Sequence, residues 1–170
     1  MRYLLLIISG YFVLVNPCAN VSGQNEKIGE AFILGFDKIK LYDRVDGSEI
    51  GEIRNNELEE IYYSLEVYDQ KKDWFKVQAV AMQDTITGWI LNKSYLATYS
   101  RNYSDTLHVY AEPDKKEPIC SIPHYFTSPM LILEFKNNWV KVKINDSGLS
   151  CSGGWVVQDM ICSSPYTTCN

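Results

Sequence analysis

The sequence predicts an all-β protein made of two small barrels in tandem, and three observations lead there. Apolar and polar residues alternate with a period of two over short stretches rich in Val, Ile, Tyr and Trp, separated by Asp, Asn, Gly and Lys. The whole pattern occurs twice. No segment carries a long helical stripe with caps at both ends.

The repeat can be followed element by element. Ile39, Lys40, Leu41, Tyr42 returns as Leu107, His108, Val109, Tyr110, and Ile50, Gly51, Glu52, Ile53 returns as Ile119, Cys120, Ser121, Ile122. Leu65, Glu66, Val67 is echoed by Met130, Leu131, Ile132. Trp74, Phe75, Lys76, Val77 is echoed by Trp139, Val140, Lys141, Val142, and Gly88, Trp89, Ile90 by Gly154, Trp155, Val156. Leu96 and Ile161 close the two units. The offset stays between 65 and 69 residues, so small loop insertions account for its drift. This divides the chain into residues 24–100 and 101–170, each too small to hold more than one compact core.

Within each unit the alternation assigns faces. Phe75, Val77, Ala79 and Val140, Val142, Ile144 are expected to point inward, with Trp74, Lys76, Gln78 and Trp139, Lys141, Lys143 on the other face. Asn92 to Leu96 and Gln158 to Ile161 can each form one short turn of helix before a last strand. In the second unit Leu131, Leu133 and Phe135 make apolar the face that carries Glu66, Tyr68 and Gln70 in the first. That face is expected to be covered by the first unit or by the tail, because a strand apolar on both sides is normally buried on both.

Residues 1–23 read as a signal peptide: Arg2 gives a positive start, Leu4 to Val15 is an apolar run broken only by Ser9 and Gly10, and Val21, Ser22, Gly23 suit cleavage before Gln24. The expected location is therefore outside the cytoplasm, in a periplasm or at the cell surface. A membrane enters only through lipidation of Cys18. Cys120, Cys151, Cys162 and Cys169 then remain, an even count that predicts disulfides. Three pairings are open; Cys120 with Cys151 and Cys162 with Cys169 is the one favoured. The formal charge of −5, from 16 Lys and Arg against 21 Asp and Glu, comes without a basic stripe and argues against nucleic acid.

At these residues the chain resembles the bacterial SH3 family, whose repeats open on an L-x-V-R-x-x-P-S segment, continue through a G-W-x-K-V strand and close on G-W-V. Leu107, Val109 and Pro113 match the first motif; Trp74, Lys76, Val77 and Trp139, Lys141, Val142 the second; Gly88, Trp89 and Gly154, Trp155 the third. The match extends over residues 36–163. Tyr42 and Tyr110 stand where the leading motif has arginine, and Asp46 and Asp114 where it has serine. The resemblance implies two tandem SH3-like β-barrels serving as a non-catalytic module that binds a peptidoglycan peptide or a cell-envelope protein.

No enzyme, cofactor or metal is expected. A nucleophile needs a base within hydrogen-bond reach, and His108 and His124 stand in no recognisable catalytic motif. Cys120 and His124 lie close together without the second pair a zinc site requires. For binding, an exposed Trp beside a Lys stem offers large contact area at little entropic cost, which singles out Trp74 and Trp139. Tyr42 and Tyr110 come next, then Trp89 and Trp155, which are expected to pack internally. The alternative reading is an inhibitor or immunity protein that blocks a secreted hydrolase.

Overall fold

A computed structural model of the chain describes residues 26–101, 106–123 and 126–164. The expected leader with Cys18, and also His124 and Cys169, lie outside them. The described chain is all-β and antiparallel. Its strands are β1 (Gly29–Ile33), β2 (Ile39–Tyr42), β3 (Glu49–Ile53), β4 (Ser64–Lys71), β5 (Trp74–Ala81), β6 (Asp84–Leu91) and β7 (Leu96–Ser100). The second half adds β8 (Leu107–Val109), β9 (Cys120–Ile122), β10 (Met130–Lys136), β11 (Trp139–Ile144), β12 (Gly153–Val157) and β13 (Ile161–Cys162).

The alternation on β5 and β11 sorts as the sequence predicts. Phe75, Val77, Ala79, Val140, Val142 and Ile144 are buried, while Trp74, Lys76, Gln78, Trp139 and Lys141 are half-buried and Lys143 is exposed. The pairing registers repeat as well. Lys71↔Trp74, Gln70↔Phe75 and Asp69↔Lys76 on β4–β5 correspond to Lys136↔Trp139, Phe135↔Val140 and Glu134↔Lys141 on β10–β11, each followed by a bulge. Left-handed residues recur at matched places, Asp46 with Asp114 and Lys72 with Asn137.

Those bulges correct one expectation. An extra residue between Ile132 and Glu134 reverses the pleat, so Phe135 joins the core side opposite Val140 and no longer shares a face with Leu133. Phe135 is buried and meets Phe75 edge-on at 6.2 Å, whereas Leu133 is 41% exposed, against the expectation that it is covered. In the first half the same position is Gln70. Its Oε1 accepts from the Phe135 N–H at 2.8 Å and so satisfies a donor that the bulge frees.

The halves are joined through β7, and here the architecture differs from two separately closed barrels. The main ladder runs unbroken as β12-β11-β10-β7-β1-β4-β5-β6-β2-β3, with β13 also on β7 and with β8–β9 as a separate hairpin. Strand β7 pairs with β1 as Phe32↔Ala97 and Ile33↔Leu96, and β13 pairs with β7 as Tyr99↔Cys162 and Ser100↔Ile161. Likewise β1 lies on β4 as Ala31↔Leu65, and β7 lies on β10 as Thr98↔Met130. Thus β7 is the closing strand of the first unit and the opening strand of the second. Sequence alignment of the repeats hides this, because the shared strand has a counterpart at each end, β1 and β13.

Side chains seal the junction. Thr98 Oγ1 donates to the Cys162 carbonyl at 2.9 Å, Ser163 Oγ to the Glu30 carbonyl at 2.9 Å, and Asn92 Nδ2 to the Ile132 carbonyl at 2.8 Å. One apolar core runs from Ala31 through Phe75 and Phe135 to Ile161. Of the two expected helical turns, Gln158–Met160 is a single 3-10 turn; Asn92 instead starts a bend in which its Oδ1 accepts from the Tyr95 N–H at 3.1 Å.

The Gly-Trp pairs have a steric origin. A Cβ on Gly154 would sit 2.6 Å from the Tyr110 carbonyl oxygen, and its φ of +152° disfavours any side chain. On Gly88 a Cβ would meet Leu41 Cβ and the Tyr42 oxygen at 3.1 Å, with φ outside the strained region. Gly154→Ala is therefore expected to destabilise by about 1–3 kcal/mol and Gly88→Ala by clearly less, measured by urea unfolding. Equal losses would show that strand crossing is not what requires the glycine.

Candidate functional site

The antiparallel register assembles an aromatic cluster on the outer face of each half. Trp89 pairs with Lys76 on one side and Tyr42 on the other, so its side chain projects to the same face as theirs, away from Ile90 in the core. Tyr42 then meets Trp74 edge-on, with ring centroids 5.2 Å apart and planes at 83°. In the second half Trp155 pairs with Lys141 and bridges to Tyr110. Tyr110 meets Trp139 at 5.3 Å and 86°. Such edge-to-face pairs add about 0.5–1.5 kcal/mol beyond the area they bury, which fixes the rings in place.

Trp89 and Trp155 are buried, 7% and 6% exposed, and lie outside the main cluster of core side chains. The Lys71 ammonium lies 5.0 Å from the Trp89 ring centroid, and that of Lys141 5.8 Å from Trp155. Both tryptophans are buried, as expected, and form the floor of the clusters under lysine side chains, while Trp74 and Trp139 stay half-open to solvent. All six residues singled out from the sequence fall into the two clusters, three in each.

Sequence reasoning missed the cleft beside the first cluster. Lys38, Ile39, Lys40, Tyr42, Leu91, Lys93 and Tyr95 enclose about 200 Å³, and Leu91 is the register partner of Trp74. The signal was present: Lys38, Lys40 and Tyr42 alternate with the buried Ile39 and Leu41 just before and along β2. Lys38 pairs with Glu52 at 2.6 Å and Lys40 with Glu49 at 2.7 Å. The hydrogen bond that Lys40 donates to the Glu49 carboxylate, with the charge of that carboxylate, raises the Lys40 pKa above the ordinary lysine value.

The β8–β9 hairpin carries the second cluster's edge. Cys120 and Cys151 form a disulfide with Cα atoms 5.7 Å apart, the pairing favoured from the sequence. Cys162 is disulfide-bonded too, and its expected partner Cys169 lies outside the described residues. His108 Nδ1 and Ser121 Oγ are 2.9 Å apart as an exposed cross-strand pair. Among the described residues no group of three or more His, Cys, Asp or Glu is placed to hold a metal ion.

No family model matches the chain, and no curated protein matches it. Among solved structures it is similar to NlpC1 from Trichomonas vaginalis, at 15% identity over 89% of this chain with a TM-score of 0.31, and to NlpC2 from the same organism, at 16% over 84% with a TM-score of 0.31. The chain spans half the length of each of those proteins.

Proposed function

We propose that this chain is an exported, non-catalytic binding protein composed of two SH3-like units fused through β7, and that its outer aromatic faces recognise a cell-wall peptide or a cell-envelope protein. The observation that carries this reading is the duplicated Tyr–Trp–Trp cluster: a Tyr and a Trp edge-on, with a second Trp paired to that Tyr, on two faces whose loops differ. Packing alone does not require a half-open tryptophan on each outer face, and rigid aromatic anchors beside lysine stems are what contact surfaces use. The Cys120–Cys151 disulfide is compatible with an oxidising compartment.

Co-sedimentation with purified peptidoglycan tests the reading. The wild type is expected to be retained, and the Trp74→Ala, Trp139→Ala double variant to lose at least about tenfold in affinity, the scale on which buried aromatic anchors act. A folded double variant retained as well as the wild type would remove the aromatic faces from the site.

A second reading has its own observation. The loop between the paired residues Asn56 and Ile61 projects Leu58, 97% exposed, and Met82 on the β5–β6 turn is 70% exposed. An inhibitor of a secreted hydrolase would use such a projecting loop, and recovery of one stoichiometric hydrolase that Leu58→Asp releases would favour it.

A further inference from the structure

We propose that the two outer faces have diverged in ligand charge: the cleft beside Trp74 takes the free carboxylate end of an extended peptide, and its counterpart beside Trp139 does not. This rests on reading the outer faces as binding surfaces and adds the chemistry of one of them.

Three lysines line the first cleft together with Tyr42, Leu91 and Tyr95. The repeat replaces all three. Tyr42 corresponds to Tyr110, so Lys40 corresponds to His108 and Lys38 to Thr106. At the other wall the Asn92 N–H donates to the Asp73 carbonyl and the Gln158 N–H to the Asn138 carbonyl, both at 2.8 Å, and the next residues are Lys93 and Asp159. Three cations thus give way to a hydroxyl, an imidazole held by Ser121 and a carboxylate. The aromatic floor is kept while the charge at its edge changes from positive to negative.

The first cleft is open to an incoming anion. Its pairs to Glu49 and Glu52 are solvent-exposed and therefore weak competitors, and among the described residues Lys93 makes no ion pair. About 200 Å³ is less than the roughly 300–1,000 Å³ of pockets that engulf a drug-sized ligand, so the cleft fits the end of a chain lying along the aromatic wall. Edge-on Tyr42 and Trp74 offer the surface for the flanking side chains.

The test uses the full disulfide-bonded protein and a mixed library of N-acetylated tetrapeptides, once with free carboxyl ends and once amidated, titrated while the indole N–H signals of Trp74 and Trp139 are followed by NMR. The free-acid library is expected to shift Trp74 at about tenfold lower concentration than the amidated one. Lys40→Gln with Lys93→Gln is expected to erase that difference, and Asp159→Lys to raise the free-acid response at Trp139. Equal shifts of Trp74 by both libraries, lost in Tyr42→Ala, would overturn the carboxylate proposal and leave the binding surface standing. No response to either library, with no retention on peptidoglycan, would overturn both.

Discussion

Phe75→Ala is expected to lower the unfolding free energy by about 3–5 kcal/mol, the range for removing a large aromatic side chain from a packed core. Phe75 is fully buried, faces Ile90 across β5–β6, and touches Phe135 from the other half. Its loss therefore opens a cavity where the two halves share one core, and the effect reaches past the first unit. Urea unfolding followed by tryptophan emission and by circular dichroism is expected to show a single transition moved to lower denaturant, with both probes coincident. Two separated transitions, with the two tryptophans of the second half unaffected, would mean that the halves are energetically independent.

Cys120→Ser or Cys151→Ser is expected to cost about 3–4 kcal/mol, from the chain entropy released when a 31-residue loop is opened. The cost falls on the second half, whose leading hairpin carries the clip. In the first half β2 and β3 join the main ladder through β6. In the second, β8–β9 forms its own two-stranded sheet, tied to β12 by the Tyr110–Trp155 bridge, and the disulfide anchors β9 to the loop before β12. The matching position to Cys120 in the first half is Gly51, and one registered pair ties the leading hairpin to the ladder in each half, Tyr42↔Trp89 and Tyr110↔Trp155, so the clip is an addition of the second half. Unfolding of the oxidised Cys151→Ser variant against the oxidised wild type measures the cost, and an unchanged midpoint would contradict the assignment.

The regular part of this fold was legible because period two is a strong signal: Phe75, Val77 and Ala79 are buried on sequence grounds alone, and the repeat located their counterparts. The bulges were not legible. Inserting one residue at Leu133 and Glu134 leaves hydrophobicity unchanged while reversing every face beyond it, which is why Phe135 moved inward and Leu133 stayed exposed. Nor was the sharing of β7, since Leu96 to Ser100 reads as an ordinary apolar strand whether it has partners in one unit or two. All six aromatic residues of the two outer clusters were singled out from the sequence. The cleft lysines were passed over because lysine on a strand usually marks a solvated face, and only the fold brings Lys93 from one loop beside Lys38 and Lys40 from another strand.

The shared strand also relates structure to function. Because β7 pairs with strands of both halves, the two aromatic faces are held on one hydrogen-bonded ladder. Comparing a chain begun at Tyr95 with one begun at Arg101, both ending at Asn170 and oxidised, tests this most directly. The longer chain keeps the strand that pairs with Met130, Leu131, Ile161 and Cys162, and it is expected to give a dispersed proton–nitrogen NMR spectrum. The shorter one is expected to be collapsed or unfolded; a spectrum equally dispersed in both would show that the second half closes without β7 and contradict the fused architecture.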